Sequence, residues 1–242
     1  IRPIRVLVLT PTRELAVQIA ESFTTYGQFT DLRSGLIFGG VSQSGQERML
    51  RAGADIIVAT PGRLLDLMNR RLVNLSMVDV FVLDEADRML DMGFLPDIRR
   101  ILKLLPKVRQ TLFFSATMPP PIATLARELL RDPATIALER QSRPAAGITQ
   151  ALYPVTQELK SALLATLLER GDMKEALVFT RTKHRANRLA EFLAKRGISA
   201  DRIHGNRSQT QRTAALANFK DGKLRVLVAT DIAARGIDVE EL

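Results

Sequence analysis

Between Val80 and Asp87 an apolar run turns abruptly acidic: Val80-Phe81-Val82-Leu83-Asp84-Glu85-Ala86-Asp87. That pattern reads as a buried strand delivering carboxylates to the edge of a parallel sheet, and ligands of open α/β sheets bind just outside the carboxyl ends of their strands. Carboxylates there suit Mg²⁺, which takes hard oxygen ligands and reaches proteins through one or two of them plus substrate phosphates. At an arbitrary strand–helix junction the same residues only complement the dipole of the next helix. Two other segments, Pro11-Thr12-Arg13-Glu14 and Thr60-Pro61-Gly62-Arg63, each set an arginine in the first turn of a helix. Helix amino-termini present unpaired N–H groups to phosphate, and an arginine adds a forked, permanent charge. Gly39-Gly40 permits close backbone approach. Singly, each arginine reads as a solvated surface charge or an intrahelical pair. Together at one sheet edge they read as backbone contacts to a single strand of nucleic acid, which hold it without reading its sequence.

The elements that must position these residues alternate. Strands are expected at 5–10, 34–38, 55–60, 80–83 and 110–114, with a short one near 135–138; helices are expected over about 12–28 and through Ile122, Leu125, Ala126 and Leu129. Such alternation argues for a parallel, doubly wound sheet. A polar, basic stretch at Glu139–Gly147 is the linker candidate. Beyond it strands recur at 176–180, 198–203 and 224–229, and Ser208 with Gln211 forms a capping box that opens a helix. Arg225-Val226-Leu227-Val228-Ala229-Thr230 echoes Arg5-Val6-Leu7-Val8-Leu9-Thr10. Five strand ends carry a threonine: Thr10, Thr60, Thr117, Thr180 and Thr230. Each hydroxyl suits either a helix cap or a ligand oxygen.

The chain has 242 residues, 46% hydrophobic and 25% charged, which is a globular composition. No apolar run approaches the ~18 residues of a membrane span. Thirty-five basic against twenty-six acidic residues give +9, a balance that favours a polyanionic partner. Aromatics are 5% and tryptophan is absent, which argues against a base-stacking platform. Cysteine is also absent, in keeping with a reducing compartment, so a cytoplasmic location is expected. His184 and His204 have no ligand pattern around them. Met89 and Met92 read as packing, and Arg99, Arg100 and Lys103 as a solvated helix face.

Asp84-Glu85-Ala86-Asp87 resembles the signature of the DEAD-box RNA helicases, and it has company. Pro11–Ala16 resembles the family's motif Ia, Gly39-Gly40 its GG motif, Thr60–Arg63 motif Ib and Ser115–Thr117 motif III. Leu177–Thr182 resembles motif IV, Gln209 and Arg212 the Q-x-x-R element, and Ala229–Asp238 motif V, with a texture most similar to bacterial RhlE-type members. The resemblance covers essentially the whole chain. It implies an α/β fold of two RecA-like parallel-sheet domains in tandem, over 1–138 and 149–242 with a linker at 139–148. It implies ATP and Mg²⁺ as cofactors and RNA as partner, with no membrane. Asp84 would hold Mg²⁺ through water, Glu85 would activate the attacking water, and Asp87, Ser115 and Thr117 would couple the nucleotide to the RNA groove. Thr12, Arg13, Gly40, Thr60 and Arg63 would grip RNA from the first domain. Thr180, Arg181, Gln209, Arg212 and Thr230 would do so from the second. Gly236 and Asp238 would approach the ATP ribose, and Arg235 would serve either the RNA face or the interdomain contact.

The sequence departs from the family's pattern in three respects. No G-x-x-x-x-G-K-[ST] phosphate loop is present; Gly222-Lys223 lacks the preceding glycine and the following hydroxyl. The adenine-reading Q motif and arginine-bearing motif VI are not found either. The expectation is therefore an internal stretch of a longer protein, truncated at both outer ends and nearly inactive towards ATP alone. A non-catalytic RNA scaffold, a metal-dependent nuclease and a DNA-directed helicase are the competing readings. The scaffold has no need of the Asp84–Glu85 pair, and the nuclease needs carboxylates converging from several elements.

Overall fold

In a computed structural model, residues 2–137, 148–171 and 173–231 are described, and they form two parallel sheets flanked by helices. The first contains β1 (Val6–Leu9), β2 (Ser34–Ile37), β3 (Ile56–Ala59), β4 (Val80–Leu83) and β5 (Gln110–Phe113), in the order β2-β3-β1-β4-β5. Every pairing is parallel. Its helices are α1 (Arg13–Tyr26), α2 (Gln43–Ala52), α3 (Pro61–Asn69), α4 (Ala86–Asp91), α5 (Leu95–Leu102) and α6 (Pro120–Leu129). The second sheet, β6 (Ala176–Thr180), β8 (Val226–Thr230) and β7 (Ala200–Ile203) in that spatial order, is also parallel. It carries α7 (Lys160–Glu169), α8 (Lys183–Lys195) and α9 (Gln209–Lys220).

Strands of such sheets are covered on both faces, so they read as continuous apolar runs. Leu7, Leu9, Ile57, Phe81 and Leu83 face a core closed by Leu64, Leu67, Met89, Ile98, Ile101, Ile122 and Leu125. The alternate residues Val8 and Val58 face Ala16 of α1. In the second sheet Val226 and Val228 pack on α7 and α8, while Leu227 meets Ala215 and Phe219 of α9. The echo between Arg5–Thr10 and Arg225–Thr230 has its reason here: β1 and β8 are the central strands of their sheets.

Several expectations shift. The short strand near 135–138 is not formed at residues 135–137, and Leu138 lies outside the described residues, as does most of the 139–148 linker. The strand expected at 198–203 starts at Ala200, and α1 ends at Tyr26. Helices α2 and α7 have no counterpart in the sequence reading. Among the described residues no helix is long and apolar enough to cross a membrane. The parallel sheets place Thr10, Phe38, Thr60, Asp84 and Phe114 along one edge of the first domain, and Thr180, His204 and Thr230 along the matching edge of the second.

Candidate functional site

At the end of β4 the chain turns sharply through Glu85, whose φ of 50° lies in the left-handed region. A side chain held there costs about 1–2 kcal/mol. The Glu85 N–H donates to Asp84 Oδ1 at 2.9 Å, and the Ala86 N–H to the Phe114 carbonyl at 3.1 Å. Burial pushes the Asp84 carboxyl above its ordinary range, against the lowering effect of that amide. Burial also raises Glu85, opposed by Arg88 at 2.9 Å. The three acidic side chains do not converge: Glu85 turns to Arg88 and Asp87 to Thr117. Among the described residues no group of three or more His, Cys, Asp or Glu could hold a metal ion. One half-buried carboxylate at a strand end fits Mg²⁺ bound partly by substrate phosphates, and does not fit an all-protein cage.

Asp87 is tied to the turn after β5. Thr117 donates to Asp87 Oδ2 through its amide at 2.9 Å and its hydroxyl at 2.7 Å. The Asp87 N–H donates to Ser115 Oγ at 3.2 Å, and that hydroxyl donates to the Thr117 carbonyl at 2.7 Å. Burial alone would raise the Asp87 carboxyl, but the bonds from the Thr117 hydroxyl and amide outweigh it and hold it below the ordinary carboxylate range. Ser115, Thr117 and Asp87, expected to act together, share one hydrogen-bonded knot.

A cleft of about 320 Å³ lies where the two sheet edges face each other. Thr12, Arg13, Gly39, Thr60 and Arg63 line it from the first domain, and Gly205 and Arg212 from the second. The Thr12 hydroxyl caps α1 by accepting from the Leu15 N–H at 3.3 Å, which leaves Arg13 at the mouth of that helix. Gly40 has a φ of +80°, and a Cβ there would overlap the Arg13 guanidinium. The close approach that the two glycines permit is therefore taken up by Arg13. Both terminal nitrogens of Arg63 reach the Val41 carbonyl at 3.5 Å. Burial, then Arg212 and Arg63, lowers the proton affinity of Arg13, yet an arginine keeps its charge.

We expect Gly40→Ala to destabilise the chain by about 1–2 kcal/mol, the cost of a left-handed alanine, and to unseat Arg13. At Gly39 the nearest atom to an added Cβ is Arg13 Nη2 at 3.7 Å, ordinary contact, so Gly39→Ala should leave the thermal midpoint nearly unchanged. Thermal melts of the two variants side by side check this.

Across the cleft, Arg212 Nη2 pairs with Glu14 Oε1 at 2.8 Å, with both side chains buried. Gln209 Nε2 donates to the same oxygen at 3.2 Å. Gln209 and Arg212, expected on an open phosphate-gripping surface, thus sit in a contact between the domains; Arg212 still lines the cleft. Thr180, Arg181 and Thr230 lie at the second sheet's edge but outside the cleft lining. Gly236 and Asp238, with Arg235, fall outside the described residues.

The strand-end threonines resolve in a way the sequence did not suggest. The Thr10 hydroxyl donates to the Thr12 carbonyl at 3.1 Å, and that of Thr180 to the Thr182 carbonyl at 3.3 Å. The caps fall two residues later, on Thr12 and Thr182. Residues missed in the sequence include Glu14, Gly62, Phe94 and Gly205, all lining the cleft. Met89 is fully buried, as expected of packing, whereas Met92 forms part of the cleft wall.

Comparison with known proteins fixes the class. Residues 2–125 match the DEAD/DEAH box helicase family, and residues 159–242 match the helicase conserved C-terminal domain. The chain belongs to the DEAD/DEAH box helicase family. It is 44% identical over 236 residues to the DEAD-box ATP-dependent RNA helicase CshA of Bacillus subtilis, covering 98% of this chain and 48% of that protein. To the RNA helicase CrhR of Synechocystis it is 43% identical over 240 residues, covering 99% and 49% respectively. The chain thus spans about half the length of these relatives. Among solved structures, a variant of S. cerevisiae Dbp5 bound to RNA and ADP BeF3 is 32% identical with a TM-score of 0.83, covering 98% of this chain and 60% of that one. The same variant bound to a Gle1 variant and IP6 is 31% identical, with a TM-score of 0.67 over 98% and 59%. The fold is two RecA-like parallel-sheet domains in tandem.

Proposed function

We propose that this chain is the RNA-gripping and water-activating part of an ATP-dependent RNA helicase, which couples RNA-stimulated ATP hydrolysis to local opening of short duplexes. The observation that carries the reading is the cleft, where arginines from both domains converge with a single buried carboxylate among them. The same Dbp5 variant scores higher in its RNA-bound form than in its Gle1-bound form. That favours a domain arrangement here akin to the one that holds RNA.

In this reading Asp84 presents the carboxylate that faces Mg²⁺. The ion, when bound, neutralises charge on the transferred phosphoryl group. Glu85 takes the proton of the attacking water, and burial of its carboxyl strengthens it as a base. Asp87, Ser115 and Thr117 transmit the nucleotide state, while Thr12, Arg13, Gly40, Thr60 and Arg63 hold the strand. Arg212 and Gln209 bring the second domain to it, with Thr180, Arg181 and Thr230 continuing the path. Gly236 and Asp238 approach the ATP ribose on closure. The left-handed Glu85 supports an enzyme over a scaffold, because strain of this kind gathers at functional turns. A reducing cytoplasm is the compartment proposed.

Binding of a labelled single-stranded RNA tests the grip. Among the described residues Arg13 is in no ion pair within 4.0 Å, and Arg63 pairs with Asp66 at 4.0 Å. With Arg181 as a third cation on the path, the logarithm of the association constant should fall with log salt at a slope of about −2.1. Arg63→Ala should cut that slope by about a third, and a flat dependence in the wild type would end the RNA reading. These 242 residues hold no phosphate loop, so ATP turnover by the chain alone should be negligible even with RNA; vigorous turnover would show that the phosphates are held by residues not identified here.

A further inference from the structure

Helix α2 sets Met49 and Leu50 against the core, yet of its ten residues only Gln46 is buried. Its Nε2 donates to the Phe38 carbonyl at 2.9 Å, while its Oε1 is enclosed without a partner. A leucine or methionine would fill the same space and bury no unpaired oxygen. Packing alone therefore does not account for a glutamine at this position.

The carbonyl it serves explains it. β2 is an edge strand, and its last bond to β3 runs from the Thr60 N–H to the Ile37 carbonyl at 2.9 Å. The next carbonyl, that of buried Phe38, lies past the ladder, and a buried carbonyl needs a donor. Gln46 supplies one. Directly after Phe38 come Gly39 and Gly40, over which the Arg13 guanidinium packs, and Val41, whose carbonyl meets Arg63. The Gln46 amide thus fixes the first residue of a four-residue segment on which the cleft arginines Arg13 and Arg63 rest.

We propose that Gln46 is a positioning residue for the cleft: by pinning Phe38 to α2 it sets Arg13 and Arg63 for phosphate. The inference rests on the RNA reading above and names a residue that touches no RNA. In the 242-residue chain, Gln46→Leu should weaken binding of a labelled oligouridylate about fivefold, the effect of one lost buried hydrogen bond. The unfolding midpoint should stay nearly level, because the Phe38 carbonyl loses its donor while the unpaired Gln46 Oε1 is no longer buried. Gln46→Met, of similar volume, should behave alike. Added to Arg13→Ala with Arg63→Ala, Gln46→Leu should weaken binding no further, because residues that act through one another do not add. Wild-type affinity in both Gln46 variants would overturn the proposal. So would a full additional loss on the double arginine background, or a midpoint that falls in step with affinity in both variants. If the double arginine variant itself binds oligouridylate like the wild type, the RNA reading fails and takes this proposal with it. Loss in that variant alone leaves the RNA reading standing and removes only Gln46.

Discussion

Glu14→Ala is expected to open the molecule. Among the described residues the carboxylate it removes is the one ion-pair partner of Arg212, and the two side chains are 7% and 9% exposed. Leaving one partner of a buried ion pair unpaired costs about 3–5 kcal/mol. Arg212 belongs to α9 and Glu14 to α1, so the chain relieves that penalty by separating its domains and returning the arginine to water. The loss should therefore appear in the closed population, lowered by roughly a hundredfold or more, with each domain's own core intact. The chain has no cysteine, so a pair of introduced cysteines, one per domain, can carry dyes that report the distance directly. Arg212→Met combined with Glu14→Ala removes both charges and should recover part of the closed population. An unchanged distance distribution in Glu14→Ala would mean that the pair does not hold the domains together.

That pair also marks the limit of what the sequence discloses. Arg212 was legible as part of the Q-x-x-R element, whereas Glu14 appeared only as a neighbour of Arg13, at a position where the helix dipole accounts for a carboxylate by itself. Nothing local connects them; only the folding of two domains against each other does. The central strands were legible because parallel strands covered on both faces must be apolar, as Val6–Leu9 is throughout and β8 is from Val226 to Ala229. Helix α2 was not, because its single buried residue is a glutamine and its core contacts, Met49 and Leu50, are adjacent rather than spaced along a helical face. The left-handed turn at Glu85 was equally hidden, since no residue type announces a strained glutamate. The threonines misled for a different reason. Thr10 and Thr180 sit at strand ends where a cap is expected, but each donates to a carbonyl two residues on and leaves the capping to Thr12 and Thr182.

Asp87 offers the second large effect, and here the sign of its pH dependence follows from the bonds. The Thr117 amide and hydroxyl both donate to one Asp87 oxygen and hold the folded carboxyl below its ordinary range. A group with a depressed folded value contributes fully above its unfolded pKa, about 3.9 for Asp. It loses that contribution as pH falls through the lower, folded value. The knot with Ser115 and Thr117 should therefore be intact at neutral pH and loosen only in acid, below the range where a free carboxylate titrates. The Thr117 amide resonance, followed by NMR down the pH scale, should shift at that low value. Asp87→Asn keeps an acceptor but no charge, and should flatten the titration. Asp87→Ala removes the acceptor as well and frees the 115–117 turn, at little cost to folding because Thr117 is exposed. Its large consequence lies in coupling. In a protein carrying these residues with a complete phosphate site, Asp87→Ala should cut RNA stimulation of ATP hydrolysis about 5- to 150-fold, the ordinary span of a coupling free energy. RNA affinity in the cleft should hardly change, because Arg13, Arg63 and Arg212 do not touch the knot. Parallel loss of RNA affinity and stimulation would instead make Asp87 part of the grip itself.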